Sequence, residues 1–431
     1  MSANSAIPAS ASVGPARAIL SCFVPFAAAY FIGFIFRTIN AIIGADLAAD
    51  MGLDAAGLGL LTSGYFFAFA IFQLPLGILL DRFGPRRVEG ALLLVAAAGA
   101  ILFAAASSVA GLTAARAVIG IGVSGCLMGA IKANVQFWPR ERLPLLNGAI
   151  MASGGLGALA AALPVEWLLR VSDWRTVFLV LAVPTAAVAL LMLWIVPEKT
   201  QAERTTLRDL LRGLGQIYRS PVFWRIAPSA FVGQAVFMAY HSLWAGLWMR
   251  DVIGLDRAGA AAHLSLFAIA MIPAYLGGGA LAERLLRYDL APHRIFAAFV
   301  SAYLTVQAAI ALSPGPGSEP LWVAYSITGT GMVISFSLLT PSFSPAYAGR
   351  VNTALNLMVF VAAFLMQVGI GTLITLLAGD DPSRVPLGHR ASLIGLLAVQ
   401  AACFVWLLWP RRSLNPGATG HSGETSDNHR S

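Results

Sequence analysis

Apolar residues run in long blocks separated by charges, prolines and glycine-rich turns. A helix needs about 20 mostly apolar residues to cross ~30 Å of hydrocarbon. Cut at its breaks, the chain predicts twelve transmembrane helices, at 18–44, 57–80, 89–107, 110–136, 147–168, 176–196, 226–247, 261–282, 293–312, 320–340, 351–377 and 391–409. The faintest break lies between the third and fourth spans, where only Ser107, Ser108 and Gly111 signal a turn. The longest polar stretch within the body, 197–225, divides six spans from six and reads as a cytoplasmic linker. There Leu207, Leu210, Leu211 and Leu214 fall near helical spacing between arginines, which predicts a short amphipathic helix on the inner membrane surface. The remaining organisation is a tail at 1–17, a six-helix bundle at 18–196, a second bundle at 226–410 and a tail at 411–431, both tails small, polar and expected to be disordered.

Composition strengthens this reading. Of 431 residues, 58% are hydrophobic and 11% charged, and the mean hydropathy is +0.77; a soluble chain carries roughly 25% charged residues. A soluble enzyme, a disordered protein and a nucleic-acid-binding module are excluded as the main body. The net charge of +8 matters through its placement. With both termini in the cytoplasm, 19 of the 28 Lys and Arg fall in inner segments and six in outer ones, namely Arg170, Arg175, Arg250, Arg257, Arg384 and Arg390. That bias orients the chain, and an odd number of spans would scramble it. Three cations remain inside spans: Arg37, Arg116 and Lys132. Cys22, Cys126 and Cys403 lie far apart in apolar runs and form neither a disulfide framework nor a metal spacing. The first apolar run is too long for the core of a cleavable signal peptide.

The halves repeat at an ungapped offset of 202 residues. Gly52-Leu53-Asp54-x-Ala56-Gly57 returns as Gly254-Leu255-Asp256-x-Ala258-Gly259, and Gly77-x-Leu79-x-Asp81-Arg82 returns as Gly279-x-Leu281-x-Glu283-Arg284. Two matches in register across a complete span imply a duplicated six-helix bundle, its copies facing each other across a central cavity.

The segment GILLDRFGPRR at 77–87 resembles the signature loop of the major facilitator superfamily, and the weaker copy sits in the corresponding loop of the second half. Arg116-x-x-x-Gly120-x-Gly122 in the fourth span and Asp173-Trp174-Arg175 before the sixth are similar to further motifs of that family. Tyr30, Arg37 and Asn40 in the first span resemble its anion:cation symporter branch. The resemblance covers about residues 18–410. It implies an all-α membrane protein of twelve helices in two pseudo-symmetric bundles, acting as a secondary transporter. It also implies a gate built from Gly77, Asp81, Arg82, Gly84, Arg86 and Arg87, with Gly279, Glu283 and Arg284 as the second copy. In that reading Asp81 faces the start of the eleventh span, where helix N-terminal amides carry partial positive charge. Pro85 departs from the family pattern, which usually has a cation there.

Glycines mark two further helices: Gly120, Gly122, Gly125 and Gly129 in the fourth span, and Gly148, Gly154, Gly155 and Gly157 in the fifth. They serve either close helix packing or a sliding gate. The fifth span lacks the Gly-Pro pattern that antiporter-type exporters of the family carry, which counts against drug efflux.

Charges inside spans are default functional candidates. From the rise per residue, Arg37 lies about 8 Å outside the midplane, and Arg116 about 11 Å outside it. Tyr30, Gly33, Arg37, Asn40 and Gly44 share one face, more like a water-lined cavity than a lipid contact. Arg37 either contacts substrate or caps carbonyls, and Arg116 is open between substrate and structure. Lys132 is expected to snorkel to the inner interface. No Asp or Glu lies in the middle of any span; Glu166 sits near an outer end, Glu89 and Glu283 at inner ends. Arginines without carboxylates make a cavity that favours anions. In the seventh span Gln234, Phe237, His241, Trp244 and Trp248 share a face. His241 is a candidate for proton coupling or a neutral interface histidine, and Trp244 a candidate for stacking on substrate. Gln73, Asn356 and Gln367 are further polar groups at cavity depth.

The leading expectation is a secondary active transporter working by alternating access, taking up a small organic anion such as a carboxylate, with coupling to protons through His241 or the substrate itself. An exporter of drugs or hydrophobic metabolites is the alternative. An integral membrane enzyme would need clustered catalytic groups; the six histidines form no ligand-like spacing, and no GxxxxGK[ST] loop is present. The expected setting is the cytoplasmic membrane of a bacterium, as a monomer in the lipid bilayer, with no cofactor, metal or nucleic acid.

Overall fold

A computed structural model describes residues 15–139, 142–197, 206–288, 290–339, 342–343 and 348–409, and every regular element among them is helical. Most of both expected tails, together with Arg140, Lys199, Arg411, Arg412 and Arg430, lies outside the described residues.

The first apolar stretch forms α1 (Pro15–Cys22), α2 (Val24–Thr38) and α3 (Asn40–Met51), the last two separated only by Ile39, whose backbone stays in the helical region. Next comes α4 (Ala55–Ala105). At about 1.5 Å per residue such a helix would span more than twice a bilayer, but Gly84 breaks it at φ 77°, ψ 162°. Only glycine accepts that backbone without strain, and Pro85 opens the second limb. The limbs then diverge. The first packs on the second half of the chain. The second packs on α5 (Val109–Val123) and α9 (Trp174–Ile195). The turn expected around Ser107–Gly111 is present: Ser108 caps α5, its hydroxyl accepting from Gly111 N at 3.1 Å. Between α5 and α9 lie α6 (Cys126–Phe137), α7 (Leu143–Ala160) and α8 (Leu163–Leu169).

The linker contains α10 (Leu207–Tyr218), opened by a Thr206/Asp209 capping box. Its apolar side buries Leu210, Leu214 and Ile217. The expectation placed that side on the membrane surface; α10 instead packs on a later helix, where Tyr218 Oη donates to Ala354 O at 3.0 Å. Protein covers Leu210 and Leu214 of the expected stripe, whereas Leu211 is exposed. The second half holds α11 (Pro221–Ala239), a π-helical turn at Tyr240–Trp244, α12 (Ala245–Asp251), α13 (Arg257–Arg287), α14 (Pro292–Leu312), α15 (Glu319–Thr330), α16 (Ile334–Leu339), α17 (Ala348–Ala378) and α18 (Val385–Leu408). Ten helical stretches among the described residues are long and apolar enough to cross a membrane. One of them is the bent α4; the segment expected at 320–340 is interrupted by a 3₁₀ turn at Gly331–Val333.

The repeat has a physical basis. Gly52 and Gly254 both end a helix at positive φ, 63° and 84°. Two residues on, Asp54 and Asp256 cap the next helix by accepting from Gly57 N at 2.7 Å and Gly259 N at 2.8 Å. The same Gly-Leu-Asp device therefore turns the chain twice. Between the halves, the first limb of α4 packs on α17, and α7 packs on α13. Adding 202 to the numbers of α4's first limb gives α13, and adding 202 to those of α7 gives the start of α17. The two seams thus exchange under the repeat. Phe69 stacks on Phe360 with centroids 3.8 Å apart in one seam. In the other, Gly155 leaves room for Ile272 and Gly148 for Leu276. The fourth-span glycines work inside the first half instead: Gly120 lies against the Tyr65 backbone and Gly122 against Ala96.

Candidate substrate-binding site

A cavity of about 370 Å³ lies between the halves. The first half contributes Tyr30, Arg37 and Gln73; the second contributes Gln234, His241 and Asn356. It extends toward the face that carries the linker, where the exposed Gly349 lines it. The Arg37 guanidinium is framed by rings from both halves, 4.7 Å from the Phe34 centroid, 5.7 Å from Phe69 and 5.6 Å from Phe360. These faces stabilise a cation without neutralising it. Its Nε is buried without a partner, and among the described residues no carboxylate lies within 4 Å of it. Tyr30 and Tyr65 are its phenolic neighbours.

His241 sits in the π-helical turn. Its ring stacks on Phe267 at 4.9 Å and 13°, with Phe237 at 5.6 Å and Phe34 at 6.3 Å. No carboxylate faces it among the described residues. Asn356 Nδ2 donates to Gln73 Oε1 at 3.3 Å across the halves, and Gln234 Oε1 is buried without a partner. Polar groups of both signs of hydrogen bonding thus ring one cation.

Three candidates lie elsewhere. Arg116 is 1% exposed; its Nη1 donates to Phe36 O at 2.8 Å, and Phe103 and Phe178 hold the guanidinium at 5.4 and 5.6 Å. It satisfies a carbonyl near the junction of α2 and α3 and does not line the cavity. Asn40 is buried and does not line the cavity; its Nδ2 donates to Thr62 Oγ1 of α4 at 2.9 Å. Trp244 lines a different cavity: the π-turn inserts a residue and breaks the 3.6-residue spacing that had aligned it with His241.

The signature loop also departs from expectation. Asp81 pairs with Lys132 on α6, so Lys132 does not merely snorkel to the interface. The partner of Asp81 among the described residues is a cation of its own half, and residues 344–347 before α17 lie outside them. Arg86 Nε donates to Leu193 O at 2.9 Å, tying the loop to the end of α9. Arg82 lies 5.1 Å over the Phe83 ring, and Arg87 lines a shallow hollow with Phe83. Gly77 and Gly279 have no neighbour where a Cβ would stand. In the second copy Glu283 bonds Arg287 of its own helix at 2.6 Å, and Arg284 is exposed.

Sequence reasoning missed the groups that join the halves on the face opposite the linker, here the far face. Arg257 Nη1 reaches Asp46 Oδ2 at 2.9 Å, and its Nη2 donates to Leu169 O at 3.4 Å. Arg250 lies 3.9 Å from Asp46, and Arg257 Nε 4.0 Å from Glu166. Gly246 abuts the Ala41 carbonyl so closely that any Cβ would collide with it. The opposed charges at Asp46 and Arg257 were visible only as topology signals. Tyr275, also in the cavity lining, carried no signal beyond its depth. Glu89 is fully buried beneath Gly129 with neither carboxylate oxygen partnered; its place near a helix end had hidden this. At the far face, hydrogen bonds from Arg175 and Trp174 hold the Asp50 carboxyl below its usual range.

A multi-pass helical protein with a solute-sized cavity between duplicated halves has the architecture of a membrane carrier. The sequence profile of the Major Facilitator Superfamily matches residues 26–367, and the chain belongs to that superfamily. It is 25% identical over 270 residues to a probable sulfoacetate transporter, SauU, of Cupriavidus necator, a match covering 59% of this chain and 63% of the other, less than two thirds of that relative's length. It is 21% identical over 390 residues to the nitrite extrusion protein of Bacillus subtilis, covering 88% and 92%. The crystal structure of a bacterial homolog of the human lysosomal transporter Spinster, inward-facing and unoccupied, superimposes with a TM-score of 0.73 at 17% identity, covering 91% and 96%.

Proposed function

We propose that the protein carries a small organic anion, a carboxylate or sulfonate, by alternating access, with Arg37 as its counter-charge. The observation that carries this reading is a guanidinium in the inter-half cavity that has aromatic faces around it and, among the described residues, no acid within ion-pair distance. An anionic ligand supplies what the site lacks. Tyr30, Gln234, His241 and Asn356 then complete its hydrogen bonds, His241 as a neutral imidazole. The names of the sulfoacetate and nitrite relatives point to the same charge class.

By the arginine bias the linker face is cytoplasmic, so this conformation is closed outward by Asp46 and Arg257 and open inward. Uptake into a bacterial cell across its cytoplasmic membrane, coupled to protons, is the direction proposed. The two seams supply the rocking contacts, and Asp81–Lys132 and Arg86–Leu193 stiffen the inner end of the first half.

The test is accumulation of labelled sulfoacetate, phosphate and an uncharged sugar in proteoliposomes under an inward proton gradient. The reading expects the organic anion alone to accumulate, and Arg37→Ala to reduce its uptake by one to two orders of magnitude, the scale of a lost charge-assisted bond of about 1.5–3 kcal/mol. Undiminished uptake by Arg37→Ala removes that residue from the site.

A further inference from the structure

A second cavity of about 370 Å³ lies at the far face, lined by residues of α3, α4, the π-turn, α12, α17 and α18. Its ionisable groups are opposite in character to those of the central cavity: Asp54, Asp251, Asp380 and His389. His389 is 1% exposed, and its Nε2 lies 3.1 Å from Asp251 Oδ2. An ionised carboxylate only accepts, so Nε2 carries the hydrogen and Nδ1 of the neutral ring presents a lone pair. That Nδ1 is buried with no partner, as is Nε1 of Trp244, another lining residue. The indoles of Trp244 and Trp248 stand edge-on to the imidazole, with centroids 6.0 and 5.9 Å away.

The charged surroundings of His389 are mainly acidic. Asp251 comes from α12, Asp54 from the cap of α4, and Asp380 from the end of α17; Asp381 and Arg384 flank the turn into α18. Arg390 points its Nε at Ala311 O, 2.9 Å away on α14, and Arg250 of α12 lies beside Asp46. An imidazolium here has its counter-charge in place, whereas His241 faces rings and Arg37.

We infer that the far-face cavity is a proton-loading site, in which His389 takes the proton and Asp251 is its counter-charge. The inference rests on the proton-coupled carrier proposed above. The step is one proton transfer: a hydronium ion of the far compartment gives its proton to Nδ1 and becomes water, while the Nε2–H bond to Asp251 stays intact. The walls come from both halves, and the rim residues Asp54, Asp251 and Asp380 are exposed at the far face, so the cavity stands open to that compartment while His389 lies buried at its wall. The turn Tyr240–Trp244 places His241 in the central cavity and Trp244 in this one. A new charge beside Trp244 therefore acts on the same five-residue segment that lines the anion site.

Imidazolium quenches a neighbouring indole, so the purified full chain in detergent is titrated by tryptophan fluorescence from about pH 8 to about pH 5. The expected result is a quenching step present in the wild type and in His241→Gln, reduced in Trp244→Phe and absent from His389→Gln. In Asp251→Asn, which retains the imidazole, the step moves down by about one pH unit or more. A step unchanged in both His389→Gln and Asp251→Asn, or one lost in His241→Gln, overturns the assignment. Under a proton gradient, labelled sulfoacetate accumulation should fall at least tenfold in His389→Gln; accumulation equal to wild type overturns the role in coupling. Because the fluorescence titration needs no substrate, a chain that titrates as described and accumulates none of the anions sinks the transport reading alone.

Discussion

Arg257 of the second half and Asp46 of the first meet across the far face, Nη1 to Oδ2 at 2.9 Å, with Glu166 and Arg250 as outlying members of the same charge group. Both side chains are about one-third exposed, so the pair is partly screened and contributes about 1 kcal/mol or less. Spent between two conformations rather than on folding, that is enough for roughly a fivefold change in their ratio. Asp46→Asn should raise the rate at which a cysteine placed at Ala45 is modified from the far side by about that factor, and high salt should mimic it in the wild type. An unchanged rate would show that the pair does not latch the halves.

Arg116 and Arg37 have similar depths and should behave oppositely. Arg116→Ala leaves the buried Phe36 carbonyl without its donor, a loss of about 1–3 kcal/mol. Thermal unfolding in detergent should occur at lower temperature, with the KM for anion among the surviving molecules unchanged. A raised KM without loss of stability would place Arg116 in the binding machinery.

Two glycines separate folding from gating. A Cβ at Gly120 collides with the Tyr65 backbone inside the first half, and one at Gly246 with the Ala41 carbonyl across the halves. Gly120→Ala should lower the unfolding temperature, since neither backbone can yield. Gly246→Ala should leave it near wild type and instead keep the far face open, read by faster modification of the same cysteine at Ala45. Equal loss of stability in both would mean that the halves do not separate there.

The pH dependence of the far-face tie between α3 and α9 follows from Asp50. Arg175 Nη1 lies 2.7 Å and Trp174 Nε1 3.2 Å from Asp50 Oδ2, and they hold its carboxyl below the ordinary value of 3.8. A carboxyl lowered by folding contributes stability above its unfolded pKa and loses that contribution as pH falls through the folded one. The stability difference between wild type and Arg175→Ala should therefore be constant from neutral pH down to about pH 5 and shrink below about pH 4. A difference that persists at lower pH would assign it to the contact of Arg175 with the Trp174 ring, 4.1 Å away.

What was legible in the sequence was what depends on period and on local chemistry. The Gly-Leu-Asp device at 52–54 and 254–256 announces a helix end and a cap, and both form. Tyr30, Arg37, Gln234, His241 and Asn356 were singled out by depth and face, and all five line the central cavity. Depth along a helix axis does not fix azimuth relative to neighbouring helices, so Arg116 was indistinguishable from Arg37. Face assignments also assume an uninterrupted α-helix. The π-turn removed Trp244 from the face of His241, and Asn40 is engaged by Thr62 of a neighbouring helix, which a face assignment cannot foresee. The Asp46–Arg257 contact is 211 residues long in sequence and has no local pattern at all. His389 was dismissed with the other histidines because metal spacing, rather than a distant aspartate, was the only partner that a linear reading can test.

The two seams between the halves descend from one duplicated helix pair, yet they are furnished differently, with stacked phenyl rings in one and isoleucine against glycine in the other. In the alternating-access reading proposed above, duplication makes the forward and reverse strokes mechanically alike, and the unequal upholstery of the pivots is what would set which way the carrier leans when idle. Thinning a single pivot, as Phe360→Leu would, is thus a route by which selection can retune a resting preference without touching the solute pocket's charge.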